Sequence, residues 1–206
     1  MDSFNPEYLR EIGKMNTADP RWEGFGHLDQ TGQFNPITIE EYAQPIIDLK
    51  LNSNVPEKVV IHFETAKNLA LFAWNVYRFT PVAELYAFIS IEFALREKTG
   101  DRKKPFSSLF KQAVTKGWLS NERFSQWKNI TEQRESNYQL DIMIAEDAEF
   151  PLPPKPEYWD YLEVLGKYIT HFRNSYAHGS SSLAPFAYKA LRDSAEIINQ
   201  IYEYSE

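Results

Sequence analysis

Apolar residues recur at steps of three and four along most of the chain, which is the spacing of helices with one buried face. Residues 38–41 have the pattern of a capping box, and Thr80-Pro81 is typical of an N-cap followed by a first helical residue. The pattern predicts helices over about 38–51, 56–77, 80–99, 106–116, 120–143, 158–178 and 186–202. No alternating strand pattern of any length is present. The sequence therefore predicts an all-α fold, an antiparallel helical bundle with additional N-terminal helices.

Two segments interrupt this helical pattern. Residues 1–36 carry only a weak helical signal over 6–15 and are then broken by glycines and prolines, so we expect Trp22, Phe25 and Phe34 to hold them on the body. Residues 120–156 are mostly polar and end in a proline-rich stretch that indicates a stiff connector; a polyproline recognition peptide is the alternative. We therefore predict an N-terminal extension over 1–55, packed on the body, and a helical domain over 56–206 with a surface insertion at about 120–156.

Composition narrows the possible functions. The chain has no cysteine, which excludes disulfides, thiolate metal sites and a cysteine nucleophile, and it fits a cytoplasmic location. No stretch approaches about 18 consecutive apolar residues, and residues 1–15 lack an apolar run, so we expect neither a membrane span nor a secretion signal.

The charge is negative overall but unevenly distributed. A net charge of −7 argues against a protein that binds nucleic acid with its whole surface. Residues 96–128, however, contain nine basic and three acidic side chains. Within this stretch Arg102, Lys103 and Lys104 are candidate RNA-binding residues that would track phosphates, and a solvated basic loop is the alternative.

An arginine and a histidine lie close together near the end of the predicted helix 158–178. Arginine is a permanently charged phosphate ligand, and histidine is the residue type whose ordinary pKa suits proton transfer near neutral pH. At about 100° per residue Arg173 and His178 lie about 140° apart, whereas His171, Asn174 and His178 share one flank. Either the last turn unwinds or a second copy of the chain supplies the missing half of a site. The simpler alternative is a histidine that complements the helix dipole and an arginine that pairs with an acid.

Three further residues are candidates for supporting roles. Glu92 is an acid inside an apolar helix, and Arg96 follows at the spacing of an intrahelical ion pair; alternatively, Glu92 supports Arg173 or His178. His171 is the third supporting candidate. His171 and His178 are two turns apart with no third ligand fixed by spacing, so we predict neither a metal site nor a cofactor.

The segment Arg173-Asn174-Ser175-Tyr176-Ala177-His178 resembles the signature of the HEPN superfamily (higher eukaryote and prokaryote nucleotide-binding domains). That signature is an arginine, four to six residues and a histidine, and the resemblance includes the polar residue directly after the arginine. Residues 81–100 resemble the long upstream helix of these domains, 109–119 the intervening short helix and 183–202 the closing helix. The similarity covers residues 59–204.

The resemblance implies a HEPN-like bundle that forms a homodimer with its two motifs facing each other across a cleft. It also implies a metal-independent endoribonuclease that cleaves RNA by 2′-OH attack, with Arg173, His178 and Asn174 as catalytic residues. A toxin or phage-defence effector, restrained by an antitoxin or regulatory protein, fits such an activity. Many members of the superfamily are instead non-catalytic modules for dimerisation, nucleotide binding or partner binding, and this is the alternative function.

Overall fold

The computed structural model describes Asn5, residues 7–179, Leu183 and residues 186–203. Within that part the chain forms seven α-helices, which confirms the all-α prediction at the level of fold class. The helices are α1 (Ile39–Asp48), α2 (Glu57–Phe72), α3 (Phe79–Thr99), α4 (Phe106–Thr115), α5 (Ser125–Asp147), α6 (Tyr161–Ala177) and α7 (Tyr188–Glu203). Three 3₁₀ helices accompany them, at Ile12–Lys14, Pro20–Gly24 and Asn121–Arg123. None of the described helices is long and apolar enough to cross a membrane.

Local sequence signals explain the start of α1 and the end of α3. The capping box at the start of α1 is confirmed, because Thr38 Oγ1 accepts from Glu41 N at 3.2 Å and the Glu41 carboxylate accepts from Thr38 N at 2.8 Å. Gly100 ends α3 with φ +70°, a left-handed conformation that favours glycine. The predicted start at Thr80 is wrong, because α3 begins at Phe79 and Thr80 is buried inside its first turn.

A short strand pair before α1 is a feature that the sequence pattern did not predict. Gly26–Leu28 and Phe34–Pro36 pair antiparallel, with His27 opposite Asn35. Asp29 holds the turn, since its Oδ1 accepts from the backbone N of Thr31 at 2.8 Å and of Gln33 at 3.0 Å. The hydrogen bond from the Thr31 hydroxyl, together with these two backbone bonds, lowers the pKa of Asp29 to about 2. Each strand has only three residues, which is too short for an alternating pattern to register.

The central element is α3, as its apolar residues on more than one face predicted. It packs against α2, α4, α6 and α7. Alanines at 83, 87 and 94 are fully buried and let neighbouring helices approach closely, while Phe88 and Ile91 fill the space between them. Two acidic residues, Glu84 and Glu92, are also buried on this helix. Because α3 contacts α6, these acids lie where they can meet the end of α6.

Part of the described segment before α2 packs on the helical body through Trp22 and Phe25. Trp22 is buried, donates from Nε1 to Ala73 O at 3.2 Å, and stacks 5.8 Å from Trp74. Phe25 packs against the same core, whereas Phe34 is exposed, so Phe34 does not have the anchoring role that we expected. In the described part of 6–15 only the 3₁₀ helix Ile12–Lys14 forms.

The fifth helix and the chain that follows it form an arm, which we define as residues 125–159. This helix begins at Ser125 rather than at 120, because Asn121–Arg123 is a separate 3₁₀ helix. The proline-rich return lies along α5: Arg134 Nη1 donates to Glu157 O at 2.8 Å, and Tyr158 Oη donates to Glu135 Oε2 at 3.1 Å. Among the described elements, the main packing partner of α5 is the 3₁₀ helix before it. The arm is therefore a surface element, as its polar composition predicted.

Candidate functional site

The arginine–histidine motif occupies the last turn and the C-cap of α6. The helix remains regular through Ala177, and His178 donates its backbone N–H to Asn174 O at 3.0 Å. Gly179 follows with φ +86° and ends the helix. The last turn is therefore not unwound before Gly179, which was one of the two ways to bring Arg173 and His178 together. Their separation around the helix remains that of a regular helix.

A buried carboxylate on α3 holds Arg173. Glu92 is 8% exposed, and its Oε2 forms an ion pair with Arg173 Nη2. Its Oε1 accepts from Arg96 Nη2 at 2.5 Å and from Arg96 Nε at 3.1 Å. Glu92 thus forms the intrahelical pair and supports the motif arginine at the same time, so both alternatives for this residue occur together. Each carboxylate oxygen of Glu92 contacts one guanidinium, so both oxygens are paired with an arginine.

Arg173 is positioned but not enclosed. Its guanidinium carbon lies 5.9 Å from the centre of the Phe106 ring on α4, and its side chain remains 31% exposed. A guanidinium has five N–H donors, and the ion pair with Glu92 uses only part of them. The remaining donors face a partly solvated surface where they can meet an anionic group. A fixed orientation is useful there, because an arginine side chain that is already ordered loses less conformational entropy when it binds a phosphate.

A second link between α3 and α6 involves a residue inside the motif. Tyr176 Oη donates to Glu84 Oε2 at 2.5 Å, and Glu84 is 4% exposed. Burial raises the pKa of Glu84, although the hydrogen bond from Tyr176 and the charge of Lys189 act in the opposite direction. Burial and the bond to Glu84 raise the pKa of Tyr176 well above its usual range. Together, Glu84 and Glu92 fix the last two turns of α6 against α3.

Sequence reasoning missed the link between Glu84 and Tyr176, although a signal for Glu84 was present. Glu84 and Glu92 are eight residues apart, which places them about 80° from each other around α3, close enough to share one broad face. An acid within an apolar run is informative wherever it occurs, because it needs a partner once it is buried. The identity of that partner, 92 positions away in the chain, is not encoded in any local spacing.

The other motif residues face solvent. The side chains of Asn174 and His178 are exposed and have no hydrogen-bond or ion-pair partner among the described residues. His171 is exposed on the same flank, and its ring lies 5.3 Å from that of Phe172. The structure therefore groups His171, Asn174 and His178 on one flank and directs Arg173 to Glu92. One chain presents a positioned cation and a solvent-facing imidazole on different sides of one helix.

A groove runs between α4 and α6 and reaches His171 at one end. Its volume is about 640 Å³, and most of its lining is apolar. Phe110 and Val114 line it from α4, and Leu162 and Gly166 from α6. Gly166 matters here because a Cβ at this position would lie 3.1 Å from Cε1 of Phe110. The absence of a side chain at residue 166 thus lets α6 approach α4 over the Phe110 ring.

Many basic side chains between residues 96 and 128 form ion pairs within the chain. Arg102 pairs with Glu97 at 3.9 Å, and Lys104 pairs with Asp101 at 3.2 Å, while Lys103 has no ion-pair partner among the described residues. Arg102 and Lys103 are exposed in the loop before α4. The three candidate RNA-binding residues are therefore accessible, but two of them already have an acidic neighbour in reach.

No group of three or more histidine, aspartate or glutamate residues in the described part of the chain is arranged to hold a metal ion. The ring of His62, in the His62-Phe63-Glu64 segment, stacks 5.9 Å from that of Tyr86 and lies tilted 4.2 Å from that of Phe93. Comparison of the chain with models of protein families, with curated proteins and with solved structures finds no match.

Proposed function

We propose that this protein is a metal-independent endoribonuclease of HEPN type, acting as a homodimer with a composite active site. The observation that carries the proposal is the pair formed by an ordered Arg173 and an exposed His178 at the end of one helix. It adds to the resemblance of the motif and of the flanking helices to HEPN domains, and to the all-α architecture. Arginine and histidine are the residue types that phosphodiester cleavage needs most, because arginine stabilises the negative charge that develops on the phosphate and histidine transfers protons.

The reaction follows from these residues without a metal. His178 of one copy removes the proton from a ribose 2′-OH, whose oxygen then forms a bond to phosphorus. The bond from phosphorus to the 5′-oxygen breaks, and a protonated His178 of the second copy donates a proton to that oxygen. Each such proton transfer contributes roughly 10²–10⁴-fold to the rate. The products are a 2′,3′-cyclic phosphate and a 5′-hydroxyl, so DNA is not a substrate.

Arg173 and Asn174 complete this mechanism. The guanidinium of Arg173, oriented by Glu92, stabilises the negative charge that builds up on the non-bridging phosphate oxygens. Asn174 lies on the flank of His178 and orients either the imidazole or a phosphate oxygen. Because Arg173 and His178 of one chain lie on different sides of α6, the proposal requires that a second chain brings them to one phosphate.

An experiment with RNA and two variants tests this function. Purified protein is expected to cleave RNA in the presence of EDTA, and Arg173→Ala and His178→Ala are each expected to abolish cleavage. His27→Ala is the matched control, because His27 is an exposed histidine outside the motif. Loss of activity in EDTA, or retention of activity in either motif variant, would contradict the mechanism. A DNA strand of the same sequence serves as the second control.

A non-catalytic HEPN module is the second candidate function. The observation that favours it is the ion pair of Arg173 with Glu92, since an arginine with a purely structural role would also form such a pair. In that case the protein cleaves no tRNA, rRNA or mRNA, and Arg173→Ala lowers stability without any effect on RNA.

If cleavage is found, growth arrest on expression in a bacterial host, absent with His178→Ala, is the expected mark of a toxin or phage-defence effector.

A further inference from the structure

The arm ends in a patch of exposed apolar side chains, which we call the arm tip (residues 140–152). Five large apolar residues of the tip are between 54% and 67% exposed. They are Leu140, Met143, Ile144, Phe150 and Leu152. The first three are spaced for one face of α5, and Phe150 N donates to Ala145 O at 2.8 Å, which turns the chain back on the same end of the arm. Apolar patches of this kind mark surfaces that bind another molecule.

The arm tip is also uniformly acidic. Residues 140–152 contain Asp141, Glu146, Asp147 and Glu149 and no basic residue. The proline-rich return pairs with α5 nearer the base of the arm, through Arg134 and Tyr158, and the large apolar residues of the tip stay exposed. The tip therefore presents a combination of apolar side chains and negative charge to solvent. A surface that covers it must be apolar in the centre and positive around it.

The groove between α4 and α6 is apolar inside and has basic residues on its α4 side. Phe110, Val114 and Leu162 give it an apolar lining, and its volume is about 640 Å³. Residues 102–116, which include α4 and the loop before it, contain five basic residues and no acidic residue. Of these, Lys111 lines the groove and has no ion-pair partner among the described residues. The same chain thus carries an exposed, acidic and apolar tip and an apolar groove that is basic on its α4 side, with Asp160 and Glu163 on its α6 side.

We propose that the arm tip of one copy binds in the α4–α6 groove of a second copy, and that the exchange is reciprocal. Each chain offers one tip and one groove, so a two-fold arrangement satisfies both surfaces twice and closes without free ends. Apolar tip residues enter the groove, and the tip carboxylates face Lys111 and the basic loop before α4. This inference concerns assembly alone and does not require that the protein cleaves RNA.

The position of the groove connects this assembly with the motif. His171 lines one end of the groove and lies on the flank of α6 that also carries Asn174 and His178. A partner's arm in the groove therefore lies beside the exposed residues of the motif. The interface and the proposed composite site occupy adjacent parts of one surface.

RNA is the other molecule that basic residues attract, and the lining of the groove favours the arm instead. Asp160 and Glu163 border the groove on its α6 side, so positive charge is offered only on the α4 side, and a phosphate backbone has no apolar group to fill the lining between them. Lys167, also at the groove, already pairs with Glu163 at 2.6 Å. The exposed apolar residues of the tip further have no role in an RNA complex, whereas they are buried in the exchanged dimer.

Charge reversal on both surfaces tests the proposal. The groove variant is Lys103→Glu with Lys111→Glu, and the arm variant is Asp141→Lys with Glu146→Lys; all four residues are exposed, so the fold should survive, which circular dichroism and urea unfolding check. We expect the unmodified protein to be a dimer by light scattering and the dissociation constant of each variant to rise at least about tenfold. An equimolar mixture of the two variants should dimerise again, because each tip then meets a groove of opposite charge.

Several results would overturn the proposal. They are a monomeric unmodified protein, variants that dimerise like it, and a mixture that stays as monomeric as its components. A groove variant that stays dimeric but no longer retains RNA on a filter would assign the groove to RNA.

A second measurement uses the absence of cysteine in the chain. Phe150→Cys and Val114→Cys proteins, mixed with a short bis-maleimide, should cross-link. The control pair, Phe150→Cys with Lys50→Cys, should not. Equal yields from both pairs would also refute the exchange.

Discussion

Replacement of Glu92 by glutamine is the most informative single change in the network behind the motif. Glutamine keeps the shape of the side chain, but it removes the negative charge and replaces one carboxylate oxygen by an amide donor. That donor must face Arg96 or Arg173, because each oxygen of Glu92 contacts one guanidinium. One charge-assisted contact is lost and the other is weakened. Glu92 itself is buried, so water cannot compensate fully.

The expected loss of stability can be worked out from these contacts. A hydrogen bond to a charged group contributes about 1.5–3 kcal/mol to the free energy of unfolding. The arginine side chains are 31% and 25% exposed, so solvent screens part of their charge. We therefore expect Glu92→Gln to lower the free energy of unfolding by about 2 kcal/mol. For a chain of this length that corresponds to a fall in Tm of roughly 4–8 °C.

Urea unfolding followed by circular dichroism measures this effect. Glu163→Gln is the matched control, because Glu163 also forms a salt bridge on a helix, to Lys167 at 2.6 Å, but on an exposed face. The control should cost under about 0.5 kcal/mol. In a double-mutant cycle, Glu92→Gln and Arg173→Ala should be coupled by about 1 kcal/mol, since the two side chains touch. If Glu92→Gln costs no more than Glu163→Gln, the proposed role of Glu92 in fixing Arg173 is refuted.

Three further predictions concern the packing around α3. Tyr176→Phe removes the donor to the buried Glu84 and should lower the free energy of unfolding in urea by about 1–2 kcal/mol. Tyr158→Phe is the control: it loses a hydrogen bond on the surface and should lower it by under about 0.5 kcal/mol. Equal losses in the two variants would count against the link between Tyr176 and Glu84. The folded pKa of Glu84 is raised above 4.5, so its contribution to stability is fully present below that pH and is lost as pH rises through the raised pKa. Glu84→Gln should therefore become more stable relative to the parent as pH rises above 4.5, and a pH-independent difference would contradict this. Gly100→Ala should cost about 1 kcal/mol because φ is +70°, and Gly24→Ala, at a position without positive φ, should be nearly neutral.

The helices were predictable because their apolar residues recur over long segments. The box at Thr38 and the stop at Gly100 are local signals that depend on neighbouring residues, and both have the expected geometry. Thr80-Pro81 failed because burial decided the role of Thr80: its hydroxyl is buried without a partner in the described part of the chain rather than capping the helix. The strand pair at 26–36 depends on a turn held by Asp29, which no periodic pattern reveals.

The candidate site was predictable only in part. Helical geometry alone gave the separation of Arg173 and His178, because α6 is regular through Ala177. The sequence also singled out Glu92, but it left open whether Arg96 or Arg173 is its partner, and the answer depends on how α3 packs on α6. The pairing of Glu84 with Tyr176 depends on the same packing. Contacts between distant helices require the tertiary structure, whereas the face of a single helix does not.

The central claim is that the motif on one chain is half of a site. An excess of His178→Ala protein, refolded together with the unmodified protein at nine to one, tests this claim most directly. If both histidines of a dimer act on one phosphate, only about a tenth of the unmodified chains pair with each other, and RNA cleavage per unmodified chain falls to about a tenth. With substrate in excess, the same quantity of His27→Ala protein, which keeps the motif, should instead raise total cleavage about tenfold. Cleavage per unmodified chain that stays constant in an excess of His178→Ala would show that each chain acts alone.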